Sequence, residues 1–204
     1  MNENMNTPST RGPLDHDVRD QVISAATKHF GHYGYEKTTV SDLAKAIGFS
    51  KAYIYKFFDS KQAIGEVICS NRLAMIMAVV DAAIADAPTA SERFRRLFRS
   101  ISEAGSDLFF HDRKLYDIAA VASRDQWPSV KGHEARIRGI IQQILLDGRE
   151  AGEFERKTPL DEAVNAIYLI MRPYINPAQL QYNLDGTPEA VVHLPALILR
   201  SLAP

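Results

Sequence analysis

Apolar residues recur along this chain at spacings of three and four almost from end to end, which is the period of one helix face. No sustained apolar–polar alternation bounded by turn signals points to a strand. A first helix is expected from about Asp15 to Tyr33, where Val18, Val22, Ala26, Phe30 and Tyr33 form one stripe. Asp15 and Asp17 favour its positive end, and Gly34 stops it. A short second helix spans Thr39 to Ile47. Thr39 with Asp42 makes a capping-box start, Val40, Leu43, Ala44 and Ile47 give the apolar face, and Gly48 ends it. Ser50 caps a third helix that runs to Phe58, with Ile54 and Phe58 one turn apart on its inner side. Asp59-Ser60 breaks it and caps a fourth helix, from Lys61 to about Asp86.

Between Leu73 and Ala85 the fourth helix is apolar on nearly all sides, so it is expected to be sandwiched between others. Pro88 ends it. Thr89 with Glu92 caps a fifth helix through Phe94, Leu97, Phe98, Ile101 and Leu108, and a sixth covers Arg113 to Ser123. Trp127-Pro128 opens a seventh, carrying Ile137, Ile140, Ile141, Ile144 and Leu145, with its stop at Gly152. Thr158-Pro159-Leu160-Asp161 caps an eighth, which Pro173 and Pro177 kink or end. Thr187-Pro188-Glu189 caps a ninth, bent by Pro195. The predicted fold is all-α with about nine helices: an arm at residues 1–14, a three-helix unit at 15–62 and a larger helical domain at 63–204. The boundary falls within the fourth helix.

Composition narrows this picture only slightly. The chain has 204 residues and a formal net charge of −1, so affinity for nucleic acid has to come from a local patch. A single cysteine, Cys69, forms no internal disulfide, which fits a reducing compartment. The first fourteen residues lack a signal-peptide core. The apolar run Leu73 to Val80 is far too short to span a bilayer. A cytoplasmic protein with no membrane association is expected.

Two short helices joined by a tight glycine turn, Thr39–Ile47 and Ser50–Phe58, have the spacing of a helix-turn-helix, whose second helix enters the major groove. Lys51, Lys56 and Lys61 place cations around that helix, opposed only by Asp59. Tyr53 and Tyr55 offer hydroxyls to phosphates and ring faces to thymine methyls. Thr39 and Ser50 put hydroxyls and free N–H groups at two helix starts. Arg19 is a further candidate for phosphate contact, and Ser41 for contact with a phosphate or a base edge. Tyr53 and Phe57 can equally be packing residues, and Lys56 a solvated charge.

The run Gly34-Tyr35, Thr38-Thr39-Val40, Leu43-Ala44, Gly48-Phe49-Ser50-Lys51, Ile54-Tyr55 and Phe58-Asp59-Ser60-Lys61 resembles the N-terminal signature of TetR-family transcriptional regulators. The resemblance covers Arg19 to Ile68, about a quarter of the chain. It implies DNA contacts from Thr39, Lys51, Ala52, Tyr53, Tyr55, Lys56 and Lys61. Tyr55 and Lys61 match phosphate contacts, and Lys51, Ala52 and Tyr53 match positions facing base edges or nearby phosphates. Ala52 stands where glycine is commoner, and Phe57 where a polar aromatic is frequent. The resemblance also implies that the larger domain binds a ligand and forms a homodimer that reads a pseudo-palindromic operator in double-stranded DNA.

Other candidates are weaker. His29 and His32 stand three apart, with His16 upstream, but no partner completes a metal set. Ser106, His111 and Asp112 suggest a triad only by proximity. No cofactor, metal or enzymatic activity is expected. Phe98, Ile101, Phe109, Tyr116, Trp127, Tyr168 and Met171 either line a pocket for a small apolar or amphipathic ligand or form plain core. Arg124, Arg172 and His133 are candidates to meet an anionic ligand. The last two helices are apolar on more than one face, and Val164, Ile167, Val191, Leu194, Leu197 and Ile198 are the candidate dimer contacts. A ligand-released repressor heads the expectations. A ligand-independent regulator, an activator and an all-helical interaction module stand as alternatives.

Overall fold

A computed structural model describes residues 15–204, apart from the side chain of Asp15; the arm expected at residues 1–14 lies outside the described residues. The described chain is helical, with ten α-helices and one 3-10 turn: α1 Asp15–Tyr33, α2 Val40–Ile47, α3 Lys51–Ile54, α4 Lys61–Ile84, α5 Ala90–His111, α6 Arg113–Arg124, α7 Pro128–Glu150, α8 Leu160–Ile175, α9 Pro177–Leu180, the turn Leu184–Gly186, and α10 Thr187–Ser201. The helix beyond the expected nine is α9. Asn176 caps it, its side-chain oxygen accepting from the Ala178 N–H at 3.0 Å. Pro173 does not end α8, which runs on to Ile175.

Two clusters of buried side chains share α4. One gathers Val22, Ala26, Phe30, Leu43, Ile54 and Phe58 with Ile64 and Ile68 of α4, and continues into Leu115 and Ile118 of α6 and Trp127. The other gathers Met77 and Val80 of α4 with Leu97, Phe98, Ile141, Ile144, Met171 and Ile198. Fully burying one such large apolar side chain stabilises the fold by roughly 1.5–3 kcal/mol. The helix-turn-helix therefore packs on the body through a continuous apolar core.

Two expectations about local burial are corrected. Tyr33 does not continue the α1 stripe: it is 54% exposed. Gly34, at φ +89°, turns the chain out of the helix, and Tyr35 fills the position beneath it, edge-on to Phe30 at 5.2 Å. The fourth helix is not sandwiched on all sides either. It packs on α5 and α7, while Met75 and Val79 face outward at 60% and 58% exposure. Taken whole, Lys61–Ile84 is long and apolar enough to cross a membrane, which its longest apolar run alone did not suggest. Here it joins the two clusters, and its Glu66 carboxylate accepts from the Ser129 N–H at the start of α7, at 3.3 Å and 3.5 Å.

Candidate nucleic-acid interface

The α2–α3 pair is held by local bonds that the sequence specifies residue by residue. The Thr39 hydroxyl donates to Asp42 Oδ2 at 2.7 Å, the Thr39 N–H donates to the same oxygen at 2.9 Å, and the Asp42 N–H returns to Thr39 Oγ1 at 3.2 Å. These bonds hold the Asp42 carboxyl below its usual range. Gly48 ends α2 at φ +78°, a left-handed conformation that a side chain would strain. The Ser50 hydroxyl then accepts from the Tyr53 N–H at 3.1 Å.

The third helix is shorter than expected. Only Lys51–Ile54 is regular α-helix; turns carry the chain on to Phe58, with the Phe57 and Phe58 N–H groups donating to the Ile54 carbonyl at 3.0 Å and 3.1 Å. Ile54 and Phe58 are buried, whereas Lys51, Ala52, Tyr55 and Lys56 are exposed together. Tyr53 is half-buried in an edge-on aromatic row, 5.1 Å from Phe49 and 5.4 Å from Phe57. That row explains Phe57: it packs against Tyr53 and supports the helix from below. The Lys56 ammonium sits 5.5 Å above the Tyr53 ring and the Lys51 ammonium 5.7 Å above that of Tyr55. Each such contact is worth about 0.5–1 kcal/mol at an exposed site. The rings thus restrain the cations that the surface presents.

Three expected phosphate contacts have other partners. Arg19 Nη1 donates to the Phe57 carbonyl at 3.0 Å and its guanidinium covers the Phe58 ring at 4.5 Å, so Arg19 braces the end of the third helix. Lys61 donates to the carbonyls of Tyr35 at 3.0 Å and Glu36 at 3.4 Å, tying the α1–α2 loop to α4. An ammonium has three donors, so one remains for a phosphate. At the start of α2 the Asp42 carboxylate fills the seat where a phosphate was expected. Ser41 is half-buried in the first turn of α2, and Lys45, one turn further on, is exposed. Lys45 was not singled out from the sequence; counting cations over both helices, instead of the third alone, finds it.

In the body, the seven pocket candidates do not form one group. Phe98, Tyr168, Met171 and Ile101 lie in the cluster built on α5, α7, α8 and α10. Trp127 lies in the other cluster, edge-on to Tyr35 at 5.7 Å. Phe109 packs on Tyr116 at 5.0 Å, under the Arg113 guanidinium, and the Tyr116 hydroxyl donates to the Pro177 carbonyl at 2.6 Å. Of the anion candidates, Arg124 is exposed and bonds Asp125. His133 is held neutral, its pKa pushed down to about 4 by burial and by Arg136.

The dimer candidates need correcting. Val164, Ile167, Val191 and Ile198 are buried inside the monomer, and Leu194 is half-buried. Of the six, only Leu197 faces outward, at 57% exposure. The outward apolar residues of α8 and α10 are instead Leu169, Ile170, Val192 and Leu197. Both faces of these helices are apolar, so period alone did not say which one turns inward.

The histidine and triad candidates named from the sequence are engaged locally. His29 lies 3.3 Å from the Thr38 hydroxyl, the Ser106 hydroxyl donates to the Ser102 carbonyl, and Asp112 caps α6.

Residues 22–67 match the model of bacterial regulatory proteins of the tetR family, and residues 90–192 match that of the tetracyclin repressor-like C-terminal domain. The chain belongs to the TetR family of transcriptional regulators. Membership makes it a DNA-binding regulator, not an enzyme, and the α2–α3 surface is the family's DNA-binding module. The uncharacterized HTH-type transcriptional regulator YhgD of Bacillus subtilis is 24% identical over 159 residues, covering 78% of this chain and 81% of YhgD. IcaR of Staphylococcus aureus, a negative regulator of the biofilm operon icaADBC, is 41% identical over 49 residues, 24% of this chain and 26% of IcaR. The fold matches the Bacillus subtilis transcriptional regulator FadR in complex with stearoyl-CoA, with a TM-score of 0.59 and 20% identity over 90% of this chain and 97% of that one.

Proposed function

We propose that this TetR-family regulator is a homodimeric repressor, acting in the cytoplasm and released from a pseudo-palindromic operator by a small apolar or amphipathic molecule. The observation that carries the dimer is the outward apolar set on the packed α8–α10 pair, Leu169, Ile170, Val192 and Leu197. Contiguous exposed apolar surface of this kind favours a partner. A second copy related by a two-fold axis presents a second α3, and operator symmetry follows from protein symmetry. Base and phosphate contact is assigned to Ser41, Ser50, Lys51, Ala52, Tyr53, Tyr55, Lys56 and, through its remaining donor, Lys61, while Thr39 shapes the start of α2. Repression is supported by the likeness of a 49-residue stretch to IcaR, and a small-molecule effector by the likeness of the fold to FadR bound to stearoyl-CoA.

Release requires the effector to bind a non-operator conformer more tightly than the operator-bound one. α4 belongs to both cores, which gives the body a direct mechanical route to the DNA-binding helices. A ligand-independent regulator draws support from the internal cavities of the body, which are only about 10 and 20 Å³.

Light-scattering mass and fluorescence-anisotropy stoichiometry test the dimer. Two chains per operator are expected. Leu169→Asp with Leu197→Asp should yield monomers and weaken operator binding by roughly 10²-fold or more, since the two heads then bind independently. A wild-type monomer that binds its site at full affinity would refute the dimer.

A further inference from the structure

The outer face of α4 departs from what a helix in contact with water ordinarily presents. Between Asn71 and Ile84 its exposed residues are Asn71, Ala74, Met75, Ala78, Val79 and Ala82, and none is charged. A surface helix normally turns charged and polar residues away from the core. Met75 and Val79, the two large side chains of this face, stand one turn apart in solvent. Contiguous exposed apolar surface marks an interaction site. Neither the α2–α3 surface nor the outward set on α8 and α10 accounts for this one.

Beside this face runs an open groove of about 480 Å³, lined from α4 by Met75, Ile76, Val79 and Ala83 and from α5 by Ala104 and Leu108. Its extent along α4, from Arg72 to Ala83, is roughly 17 Å, about three helical turns. The charged residues that line it are Arg72, Glu103 and Asp107. Arg72, at one end, pairs with Asp112 at 3.8 Å. Glu103 and Asp107 stand one turn apart on the α5 edge, exposed, and take part in no ion pair among the described residues. The basic residues of α5 nearest to them are occupied or turned aside. Arg96 bonds Glu92 at 3.0 Å and Asp86 at 2.6 Å, and Arg99 does not line the groove. The His111 ring meets the Asp107 carbonyl at 2.9 Å, not its carboxylate. The groove thus has an apolar floor, an uncharged wall on α4 and an acidic edge on α5.

We propose that this groove is a docking site for another protein, and that the segment it takes is an amphipathic helix with an apolar stripe and lysine or arginine along one edge. Apolar anchors at helical spacing fill the valley, as in other helix-in-groove complexes. The cations of the edge meet Glu103 and Asp107. Ala74, Ala78 and Ala82 add no bulk to the α4 wall, which lets the incoming helix approach closely. A second copy of this chain fits less well. Its own outward apolar residues lie on α8 and α10, helices that also expose Asp161, Glu162 and Glu189, and these repel the two carboxylates. An anionic lipid surface is repelled in the same way.

Every lining residue belongs to α4 or α5, so a helix seated here leaves the α2–α3 surface and the outward apolar set of α8 and α10 uncovered. DNA, a second copy and this partner then occupy three different faces. The apolar floor supplies most of the attraction. The two carboxylates add little to it, but they reject an acidic partner, because like charges brought together across an interface are costly. Charge therefore selects the partner, and Met75 and Val79 hold it.

The test titrates the full-length protein into two fluorescently labelled helical peptides, alike in a stripe of leucines and differing only in lysine against glutamate along the edges. By anisotropy the lysine peptide should bind about tenfold or more tightly than the glutamate peptide, and the preference should shrink as salt is raised. Glu103→Lys with Asp107→Lys should reverse the preference. Met75→Gln with Val79→Gln, at exposed positions and with a residue that suits a helix, should lower the affinity for the lysine peptide about tenfold while leaving the melting temperature unchanged. Absence of binding by both peptides, equal affinity for the two, or an unchanged preference in the charge-reversed variant would overturn the docking site. So would a sedimentation mass of the free protein that falls in the glutamine variant, because the face would then join copies of this chain. Binding of dodecyltrimethylammonium below its micelle concentration, with neither peptide bound, would make the groove a small-molecule site and overturn the proposal as well.

Discussion

The DNA-binding head and the helical body use polar side chains in opposite ways. The head shows its chemistry. Lys51 and Lys56 lie over tyrosine rings on an exposed face, and the caps that start its two helices join residues three positions apart. The body hides its polar groups among apolar ones. Ser123 and His133 sit behind packed helices, and the residues around them come from helices α4, α6, α7 and α8. A surface that reads DNA needs cations in water with a fixed geometry. A packed helical core needs the reverse, a dry interior with few polar groups. Trp127 and Gly65, at the join, belong to neither task and connect the two.

If the join is what unites these regions, removing it should have the largest effect. Trp127→Ala takes a side chain that is 3% exposed out of the packed core. It should cost about 3–5 kcal/mol, read by urea unfolding with circular dichroism. A cost well below 1 kcal/mol would show that head and body hardly depend on this contact.

A smaller effect separates the body by pH. His133 falls from its ordinary 6.5 to about 4 in the fold, because burial, and then Arg136, disfavour the charged ring. The unfolded chain therefore binds the proton first. The stability this group contributes is complete above about pH 6.5 and declines as pH falls toward 4. The slope of unfolding free energy against pH between these limits should flatten in His133→Gln, and an identical slope in that variant would contradict the assignment.

The smallest effect belongs to the head. Thr39→Ala removes the α2 cap and should cost about 1 kcal/mol, measurable as a shift in the thermal midpoint.

These contrasts also explain what the sequence could reveal. The caps at Thr39, Ser50 and Ser60 and the stops at Gly34 and Gly48 are local, so they were legible with correct positions. So was the division of the third helix into buried Ile54 and Phe58 and exposed Lys51 and Lys56. Its regular length was not, because the turns after Ile54 depend on Arg19 bracing the Phe57 carbonyl from thirty-eight positions away. Tyr33 and Tyr35 exchanged places because a left-handed glycine between them resets the helical phase. In α8 and α10 the inner and outer stripes are equally apolar, and only packing distinguishes Val164 and Ile198 from Leu169 and Val192. Trp127 looked like a pocket residue from its type, yet the fold uses it against Tyr35. The burial of His133 depends on which helices surround it, and no spacing in the chain encodes that.

The most direct test of the account is the salt dependence of operator binding, measured by fluorescence anisotropy on a site selected from the source genome. The logarithm of affinity against the logarithm of salt concentration should fall steeply for the wild type. Lys51→Ala and Lys56→Ala should each reduce the magnitude of that slope by about one if the side chain neutralises a phosphate. If Lys51 reads a base edge instead, Lys51→Ala should change the preferred sequence. Unchanged affinity, slope and sequence preference in the double variant would contradict the claim that this face of the third helix is what meets DNA.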